Sequence, residues 1–496
     1  MPPKSQEALL FESEFFSSSA KSRRNYERII SRTARLVAAS LPHSPYSGLP
    51  PAKLAARFDE KILRKEPLPP ARLAANLRKV IADSINVSHP RTAAHLHCPP
   101  LLTALAAEVV ITALNQSMDS FDQAPIATIL EQRLMQFLCR NVGLPSAGSG
   151  TMTAGGSQSN YMGLLLARDS LLRRRWNWNT QKSGLPTQAR KFRVLCSAVS
   201  HFTVEKSAAQ LGLGTDSVMR IPVDSQFQMD LDALRRALQW LKKEDLFPMA
   251  IVGTAGTTDF GSIDPLEELA DIAHDNDAWF HVDAAYGGAL LFSSRHRNRL
   301  AGIDQADSVT VDFHKLFWQP ISCGAFLLRF ARDFDYIKMH ADYLNPETLE
   351  EEGVPNLVTT SLLTSRRFDA LKLWLSLQSL GRKKLAAMID RTIALAQHTA
   401  RAIKKEARFE LMSDPQFSTV VFRYLPLNLH LNADRINFEI RKRLFETGQA
   451  VIGHTRVHGY QCLKFTCMNP VTSEAQMKEL LAMIVDHGAK CEKKAK

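Results

Sequence analysis

The chain has 496 residues, of which 45% are hydrophobic and 23% charged, a composition typical of a globular protein with two or three domains. The net charge is +12, and basic clusters lie at residues 21–24, 173–175 and 490–496, but no zinc-finger, helix-turn-helix or RNA-binding signature accompanies them. We therefore expect no nucleic-acid partner.

The cysteines and the apolar runs predict the compartment. The seven cysteines show no paired spacing, and their odd number in a long chain indicates free thiols in a reducing environment. No run approaches the roughly 18 apolar residues of a membrane span. Acidic residues interrupt the opening segment, which therefore lacks the apolar core of a secretory signal. We expect a cytoplasmic protein that does not contact a membrane.

Residues 1–88 are predicted to form an N-terminal helical arm. Apolar residues recur at helical spacing over 26–41, and prolines divide the rest into short pieces. Helices this short bury little surface alone, so we expect the arm to pack on another part of the chain or on a partner subunit.

An irregular segment follows at residues 91–100. His95, His97 and Cys98 suggest a metal site, but no second cluster has clear ligand spacing, and a pocket wall or a turn is the favoured interpretation. Helices are predicted over 101–114 and 127–141, with a polar loop between them.

Residues 147–161 read AGSGTMTAGGSQSNY and form a glycine-rich loop. We predict that Ser157 caps a helix that starts near Asn160 and runs to Arg168. Open backbone at the positive end of a helix favours an anion, usually phosphate. A flexible loop with an ordinary helix cap is equally compatible with these residues. No Gly-Lys-Ser/Thr follows, which excludes a P-loop.

Strands and helices alternate between residues 190 and 330, which predicts an α/β fold with a mostly parallel central sheet and helices on both faces. One of the helices is expected over 265–274, with Asp264 as its cap, Pro265 at its first position and Glu267 completing a capping box. The predicted strands are 193–198, 250–253, 279–282, 308–311 and 324–328.

The pattern changes beyond residue 330. Residues 332–355 are polar and are expected to form a mobile loop over the site, followed by an amphipathic helix over 366–380. The chain then predicts a smaller α+β domain. We place the domains at 1–88, 89–372 and 373–496. The expected elements of the last domain are strands 418–423, 450–455 and 461–466 and helices 433–447 and 473–486.

Polar residues follow four of the predicted strands at the point where each strand ends. They are His201 after the first, Gly256, Thr257 and Thr258 after the second, Asp283 to Gly288 after the third, and Asp312, His314 and Lys315 after the fourth. Ligands in open α/β sheets bind at this edge. The sequence therefore predicts one site built from all four strand ends.

The residue types at this edge suit an aldehyde cofactor with a pyridine ring and a phosphate. The amine of Lys315, partly removed from water, can attack the aldehyde and form a Schiff base. Asp283 can keep the ring nitrogen protonated, which makes the ring an electron sink for a carbanion. His201 and Ala285 can lie on its two faces, and the Ser157 loop can take the phosphate. We therefore predict pyridoxal 5'-phosphate as the cofactor.

The motifs HVDAAYGG (281–288), Asp307-Ser308 and DFHK (312–315) resemble the pyridoxal-dependent decarboxylases of the aromatic amino acid, glutamate and diaminobutyrate group. The resemblance runs from about residue 86 to 470 and includes the TAGGSQSN loop. It implies the fold-type I architecture of these enzymes and a homodimer wrapped by the N-terminal arm. It assigns Gly156 and Ser157 to the phosphate, with Asp312 nearby, Thr257 to a place beside the cofactor, and His314 to orienting Lys315.

Several segments are most similar to bacterial L-2,4-diaminobutyrate decarboxylases, which implies that substrate and the product 1,3-diaminopropane. The segments are HPRTAAHLHCPP, NQSMDSFDQAP, HADYLNPE and SRRFDALKLW. Lysine, ornithine, aspartate, glutamate and aromatic amino acids stay open as substrates. So does transamination or side-chain chemistry on the same fold. Rivals of other classes are a metal-dependent hydrolase using His281, Asp283 and His314, and a basic scaffold that binds nucleic acid.

One departure from the family concerns the proton donor. Relatives acting on aromatic and glutamate substrates carry a loop tyrosine that is thought to return a proton to the α-carbon. The corresponding residues here, 354–358, read VPNLV, and the nearest tyrosine in the sequence is Tyr343, some way upstream. The proton donor therefore stays open between Tyr343, His201 and water.

Overall fold

Two β-sheets organise the protein, whose computed structural model describes residues 14–58 and 62–495. The remaining parts of the predicted arm, residues 1–13 and 59–61, lie outside the described residues, as does Lys496 of the basic tail. The strands are β1 (Thr92–Ala93), β2 (Ser149–Thr153), β3 (Phe192–Ser197), β4 (Val218–Ile221), β5 (Phe247–Thr254), β6 (Trp279–Asp283), β7 (Ser308–Asp312), β8 (Gly324–Leu328), β9 (Phe409–Leu411), β10 (Thr419–Tyr424), β11 (Val451–Val457) and β12 (Tyr460–Thr466).

Helices cover the sheets and form most of the N-terminal segment. They are α1 (Ala20–Ser40), α2 (Pro51–Ala55), α3 (Pro70–Ala82), α4 (Leu102–Leu114), α5 (Pro125–Val142), α6 (Gly156–Trp176), α7 (Thr180–Ser183), α8 (Thr203–Gln210), α9 (Leu231–Lys243), α10 (Leu266–Asp275), α11 (Glu347–Glu351), α12 (Ala370–Lys405), α13 (Ala433–Glu446) and α14 (Glu474–Ala495). No helix within the described ranges has the length and apolar character needed to cross a membrane.

The larger sheet has seven strands in the order β2-β8-β7-β6-β5-β3-β4. Neighbours from β4 to β7 run parallel, and β8 pairs antiparallel with both β7 and β2. Parallel neighbours bring the carboxyl ends of β3, β5, β6 and β7 to one edge. The predicted mostly parallel α/β sheet is confirmed.

Both faces of this sheet are buried, as the continuous apolar runs of its strands predict. In β3, Leu195 packs into one apolar core, while Val194 and Cys196 face another on the opposite side. Helices α5, α9 and α10 contribute to the first core, and α6 and α8 to the second. Helices on both faces therefore hold the strand ends in place.

The smaller sheet has the order β1-β11-β12-β10-β9, and α13 and α14 pack on it. Its edge strand β1 comes from the start of the chain and pairs parallel with β11, aligning Thr92 with Val451. Helix α12 is longer than the predicted helix 366–380 and is broken at Gly381, where φ is +64°. Its first half packs into the core of the large sheet, and its last turns pack into that of the small sheet.

The predicted cap of the 265–274 helix is wrong. The helix begins at Leu266, and no side chain caps it. Asp264 instead accepts hydrogen bonds from the backbone N–H groups of Thr254 and Met229, both at 2.8 Å. Burial raises the pKa of this carboxyl to about 7. The carboxylate thus links β5 to the segment that precedes α9 rather than starting a helix.

Candidate active site

A cavity of about 380 Å³ opens at the carboxyl ends of β3, β5, β6 and β7. Residues from the four predicted strand ends line it together, so the strand ends meet at one edge as the sequence predicts. The lining residues are Ala154, Gly155, Gly156, Ser157, Gln158, Asn160, His201, Thr254, Gly256, Thr258, Asp283, Ala285, Tyr286, Asp312, His314 and Lys315. None of residues 332–355, expected to cover the site, is among them.

Lys315 lies just after β7, with its side chain 16% exposed. Its Nζ is 3.2 Å from Oδ2 of Asp312, the last residue of the strand. The i,i+3 spacing and the turn after β7 bring both side chains to the cavity wall. The ammonium and the carboxylate therefore form a mostly buried ion pair at the site.

Asp312 also faces His314. Oδ2 of Asp312 is 3.6 Å from His314 Nε2, and His314 Nδ1 lies 2.8 Å from the carbonyl oxygen of Cys323. Burial lowers the pKa of His314, against the opposing effect of Asp312. Within the described residues, the buried Oδ1 of Asp312 has no hydrogen-bond partner. That oxygen is an acceptor left for a ligand.

The glycine loop forms another wall, but Ser157 does not cap the helix. Helix α6 begins at Gly156, earlier than predicted, and its N-cap residue, Gly155, has no side chain that could cap it. Gln158 Oε1 instead accepts a hydrogen bond from the N–H of Ala154 at 2.8 Å. The first amides of a helix lack intrahelical partners and carry partial positive charge. The first backbone N–H groups of α6 lie in the cavity wall and can bind an anion.

Close packing explains the glycines in this wall. A Cβ on Gly155, whose φ is +140°, would lie 2.8 Å from Cε1 of His314. A Cβ on Gly156 would lie 3.2 Å from both Asp312 Oδ2 and the Cβ of Ala285. The loop therefore approaches Asp312 and His314 only because side chains are absent.

Asp283 ends β6 and is 6% exposed. Its Oδ1 accepts a hydrogen bond from the N–H of Ala285 at 3.1 Å, and its Oδ2 accepts one from Asn160 Nδ2 at 2.7 Å. Two donors fix the orientation of the carboxylate, and each oxygen retains a lone pair for a ligand in the cavity.

His201 follows β3 on the loop before α8. Its Nδ1 is 2.8 Å from Thr203 Oγ1, and burial lowers the pKa of the ring against the opposing effect of Asp283. The ring is therefore biased toward the neutral form. It lines the cavity together with Asp283 and Ala285.

Thr257 does not reach the cavity, although its neighbours Gly256 and Thr258 do. Its side chain is fully buried and hydrogen bonds to Ser262 Oγ at 2.7 Å. Sequence reasoning assigned no role to Asn160 and Gln158, because both look like ordinary positions of a helix. The sequence signal that could have identified both residues is their position shortly after two glycines, at the junction between a strand and a helix.

A model of the family described as the pyridoxal-dependent decarboxylase conserved domain matches residues 51–425. The chain belongs to this family. The match covers the large sheet and every residue that lines the cavity.

This pyridoxal-dependent decarboxylase has close relatives of stated activity. It is 43% identical over 410 residues to L-2,4-diaminobutyrate decarboxylase of Acinetobacter baumannii, covering 81% of this chain and 80% of that protein. It is 43% identical over 407 residues to the enzyme of the same name from Rhizobium meliloti, covering 82% of this chain and 79% of that protein.

Solved structures agree. The decarboxylase domain of a Vibrio parahaemolyticus protein, described as a diaminobutyrate-pyruvate transaminase and L-2,4-diaminobutyrate decarboxylase, superposes with a TM-score of 0.90 at 38% identity, covering 97% of this chain and 99% of that chain. Mouse CSAD superposes with a TM-score of 0.85 at 28% identity, covering 93% and 98% of the two chains. The predicted fold, decarboxylation of an amino acid and dependence on pyridoxal phosphate are confirmed.

The cavity of this decarboxylase fits its cofactor. A phosphate needs donors and space, and the start of α6 offers free amides beside two glycines that a Cβ would crowd. An aldehyde needs an amine, and Lys315 is the lysine in the wall. A pyridine nitrogen that carries a proton needs an acceptor, and Asp283 retains free lone pairs.

We expect Gly155→Ala to lower affinity for pyridoxal phosphate about tenfold or more, because the methyl group strains the backbone and displaces His314. Gly214→Ala is the matched control, since Gly214 also has positive φ (+79°) but has no atoms within 4 Å of an added Cβ. Titration of the cofactor-free protein measures the affinity. Equal cofactor affinity in both variants would contradict the crowding argument.

The metal-dependent hydrolase is not supported by the positions of its proposed ligands. His281 is fully buried, and its two ring nitrogens contact Ser308 Oγ and Asn160 Oδ1. In the part of the chain that the structure describes, no three His, Cys, Asp or Glu side chains are grouped to hold a metal ion. The match to the decarboxylase family is what replaces the hydrolase interpretation.

Proposed function

We propose that this enzyme decarboxylates L-2,4-diaminobutyrate and releases 1,3-diaminopropane and carbon dioxide. The observation that carries the proposal is 43% identity to two L-2,4-diaminobutyrate decarboxylases, each over about four fifths of both chains. The relatives at about 30% identity, by contrast, are described as acidic amino acid and cysteine sulfinic acid decarboxylases.

Lys315 and Asp283 carry the chemistry in this proposal. Lys315, in the cavity wall, would hold the cofactor through its amine, which can bond an aldehyde. Asp283, held by Asn160 and the N–H of Ala285, accepts a hydrogen bond from the ring nitrogen. When bound, pyridoxal phosphate supplies a protonated ring that takes up the electron pair left as carbon dioxide departs.

The other residues position the ring and the phosphate. His201 and Ala285 flank the ring, Gly156 and Ser157 receive the phosphate, and Asp312 with its unpartnered Oδ1 lies beside it. His314 supports Asp312 and Lys315 through the 3.6 Å contact between His314 Nε2 and Asp312 Oδ2. Thr257 is assigned an indirect part, since its bond to Ser262 shapes the turn that presents Gly256 and Thr258.

For the proton returned to the α-carbon, His201 is favoured over Tyr343. His201 lines the cavity, whereas the side chain of Tyr343 is 90% exposed and does not line it. The neutral ring can take up a proton from water, and the imidazolium so formed can donate that proton to the α-carbon.

A substrate panel scored by carbon dioxide release tests the proposed activity. We expect kcat/KM for L-2,4-diaminobutyrate to exceed that for ornithine about tenfold or more, since one methylene changes binding by that order. Lysine, aspartate, glutamate and an aromatic amino acid complete the panel. Preference for any of these would contradict the proposed substrate. Amino-acid consumption without carbon dioxide would indicate transamination instead.

We propose that the enzyme is a homodimer in the cytoplasm. The exposed side of α4 is apolar, with Leu102 83% and Leu114 56% exposed, and α1 and α3 add further exposed apolar side chains. An apolar face of this extent is typical of a protein–protein interface. All seven cysteines are free thiols, as expected in a reducing compartment.

We expect the double variant Leu102→Glu, Val109→Glu to halve the molar mass measured by light scattering, because two charges would be buried at the proposed interface. The control is Trp240→Glu, a change at another exposed apolar residue, on α9. If the α4 variant keeps the native mass, this face is not the dimer interface.

A further inference from the structure

A chain of buried polar side chains runs beneath the cavity, and its hydrogen bonds have a defined direction. Trp279 Nε1 can only donate, and it lies 2.8 Å from Ser308 Oγ. The Ser308 hydroxyl is 2.8 Å from His281 Nδ1 and can donate its own proton there. Burial lowers the pKa of His281 to about 4, so the ring is neutral. Its proton is on Nε2, because that nitrogen faces the acceptor oxygen of Asn160.

The side-chain oxygen of Asn160 is the next acceptor in this series of hydrogen bonds. His281 Nε2 is 3.0 Å from Asn160 Oδ1, and Thr310 Oγ1 donates to the same oxygen from 2.8 Å. The amide nitrogen then faces Asp283 Oδ2 at 2.7 Å and Thr203 Oγ1 at 3.0 Å. A carboxylate accepts only, so Asp283 fixes which end of the amide faces it. Both donor and both acceptor positions of Asn160 are thus occupied.

Thr203 links Asn160 to His201 through hydrogen bonds. Its hydroxyl oxygen accepts from Asn160 and lies 2.8 Å from His201 Nδ1, to which it can donate its own proton. The backbone N–H of Thr203 points to the same nitrogen from 3.4 Å. Two donors therefore face Nδ1, and the proton of the neutral ring belongs on Nε2.

We propose that Asn160 is a positioning residue that sets the proton arrangement of the active site. Through one amide it orients the Asp283 carboxylate, and through Thr203 it keeps the proton of His201 on Nε2, the nitrogen free to act in the cavity. The inference rests on the proposed roles of Asp283 and His201. It adds that a single side chain, 2% exposed, couples the two.

A purely structural Asn160 would fill the same space without directing protons. Its loss would then lower stability but leave the tautomer of His201 unchanged. The structural and the positioning role predict different ¹⁵N chemical shifts for the ring nitrogens of His201. These shifts distinguish protonated from unprotonated nitrogens. These shifts are measured on the full-length, cofactor-free protein labelled with ¹⁵N-histidine, and His201→Gln identifies the signals.

In the unsubstituted protein, we expect His201 to show a protonated Nε2 and an unprotonated Nδ1. In Asn160→Ala and Thr203→Val, both signals should move toward each other as the second tautomer becomes populated. Thr310→Val, which removes a bond to the amide oxygen and a 3.4 Å contact with His281 Nε2 but leaves the donors that face His201 Nδ1, should retain the original shifts. A proton on Nδ1 in the unsubstituted protein, or unchanged shifts in both variants, would overturn the proposal.

The isosteric Asn160→Asp gives a second test, on stability rather than spectra. It places a carboxyl against Asp283, so the folded variant binds one proton that the unfolded chain releases above about pH 4. The folded-state pKa is raised, so stability is lost as pH rises. The unfolding constant relative to the unsubstituted protein should grow up to about tenfold per pH unit, until the folded pKa is reached.

Asn160→Ala is the matched comparison, because it removes the donor to Asp283 without adding a carboxyl, so its ratio should change with pH much less. If the ratio for Asn160→Asp changes with pH no more than that for Asn160→Ala, Asn160 does not orient Asp283 and the proposal fails. Both tests use cofactor-free protein. They therefore fail or succeed independently of whether Lys315 binds the cofactor.

Discussion

Lys315→Ala is expected to lose the visible absorption of lysine-bound pyridoxal phosphate and to lower turnover about 10³-fold or more. Lys315 is the lysine of the cavity wall, and its amine is held 3.2 Å from Asp312. Without it, the cofactor aldehyde has no covalent partner, and no amine is placed to release the product. Absorption spectra and carbon dioxide release measure the two effects.

Lys338→Ala is the control, because Lys338 pairs with Glu350 away from the cavity. This variant should keep both the absorption and the activity. A fully active Lys315→Ala would contradict the central assignment of the site.

Asp283→Ala is expected to retain part of its cofactor, through Lys315 and the phosphate loop, while kcat falls about 10²-fold or more. The ring nitrogen loses its acceptor, so the ring no longer takes up electrons efficiently. Cofactor content is read from absorption and kcat from carbon dioxide release. The expected signature is a loss of kcat much larger than the loss of bound cofactor.

Asp264→Ala separates this effect from the general cost of removing a buried carboxyl. Asp264 is as buried as Asp283 but bonds only to the backbone of Thr254 and Met229. Its loss should lower the free energy of unfolding with a far smaller loss of kcat. Near-normal kcat in Asp283→Ala would refute the electron-sink role.

The parallel strands and the cluster of polar residues at their carboxyl ends were predictable from sequence because each follows from a local pattern. Short apolar runs ended in polar residues, and the alternation with helices implied parallel order. Strands β6, β7 and β8 were placed within one residue of their observed ends. Strands β2 and β4 were missed, because SGTMT lies in a glycine loop and VMRI is short and contains a charge.

Long-range hydrogen bonds were not predictable. Asp264 carried every local feature of a helix cap, but two backbone donors distant in sequence bind its carboxylate instead. Ser157 does not cap the helix as predicted, because the helix begins at Gly156, and the side chain of Gln158 reaches back to the N–H of Ala154. The Asn160 network joins four segments of the chain, and no local pattern reports such an arrangement.

The pairing of β1 with β11 has a consequence for synthesis on the ribosome. Thr92 is made early, yet its partner Val451 emerges about 360 residues later, roughly 20 to 70 s at about 5 to 20 residues per second. Until then the edge strand β1 has no partner strand, and the backbone N–H and C=O groups of residues 92–93 are not paired in a sheet. The nascent chain therefore completes this sheet only near the end of translation, and a ribosome that stalls before Val451 leaves an unpaired β1 as a target for chaperones and proteases.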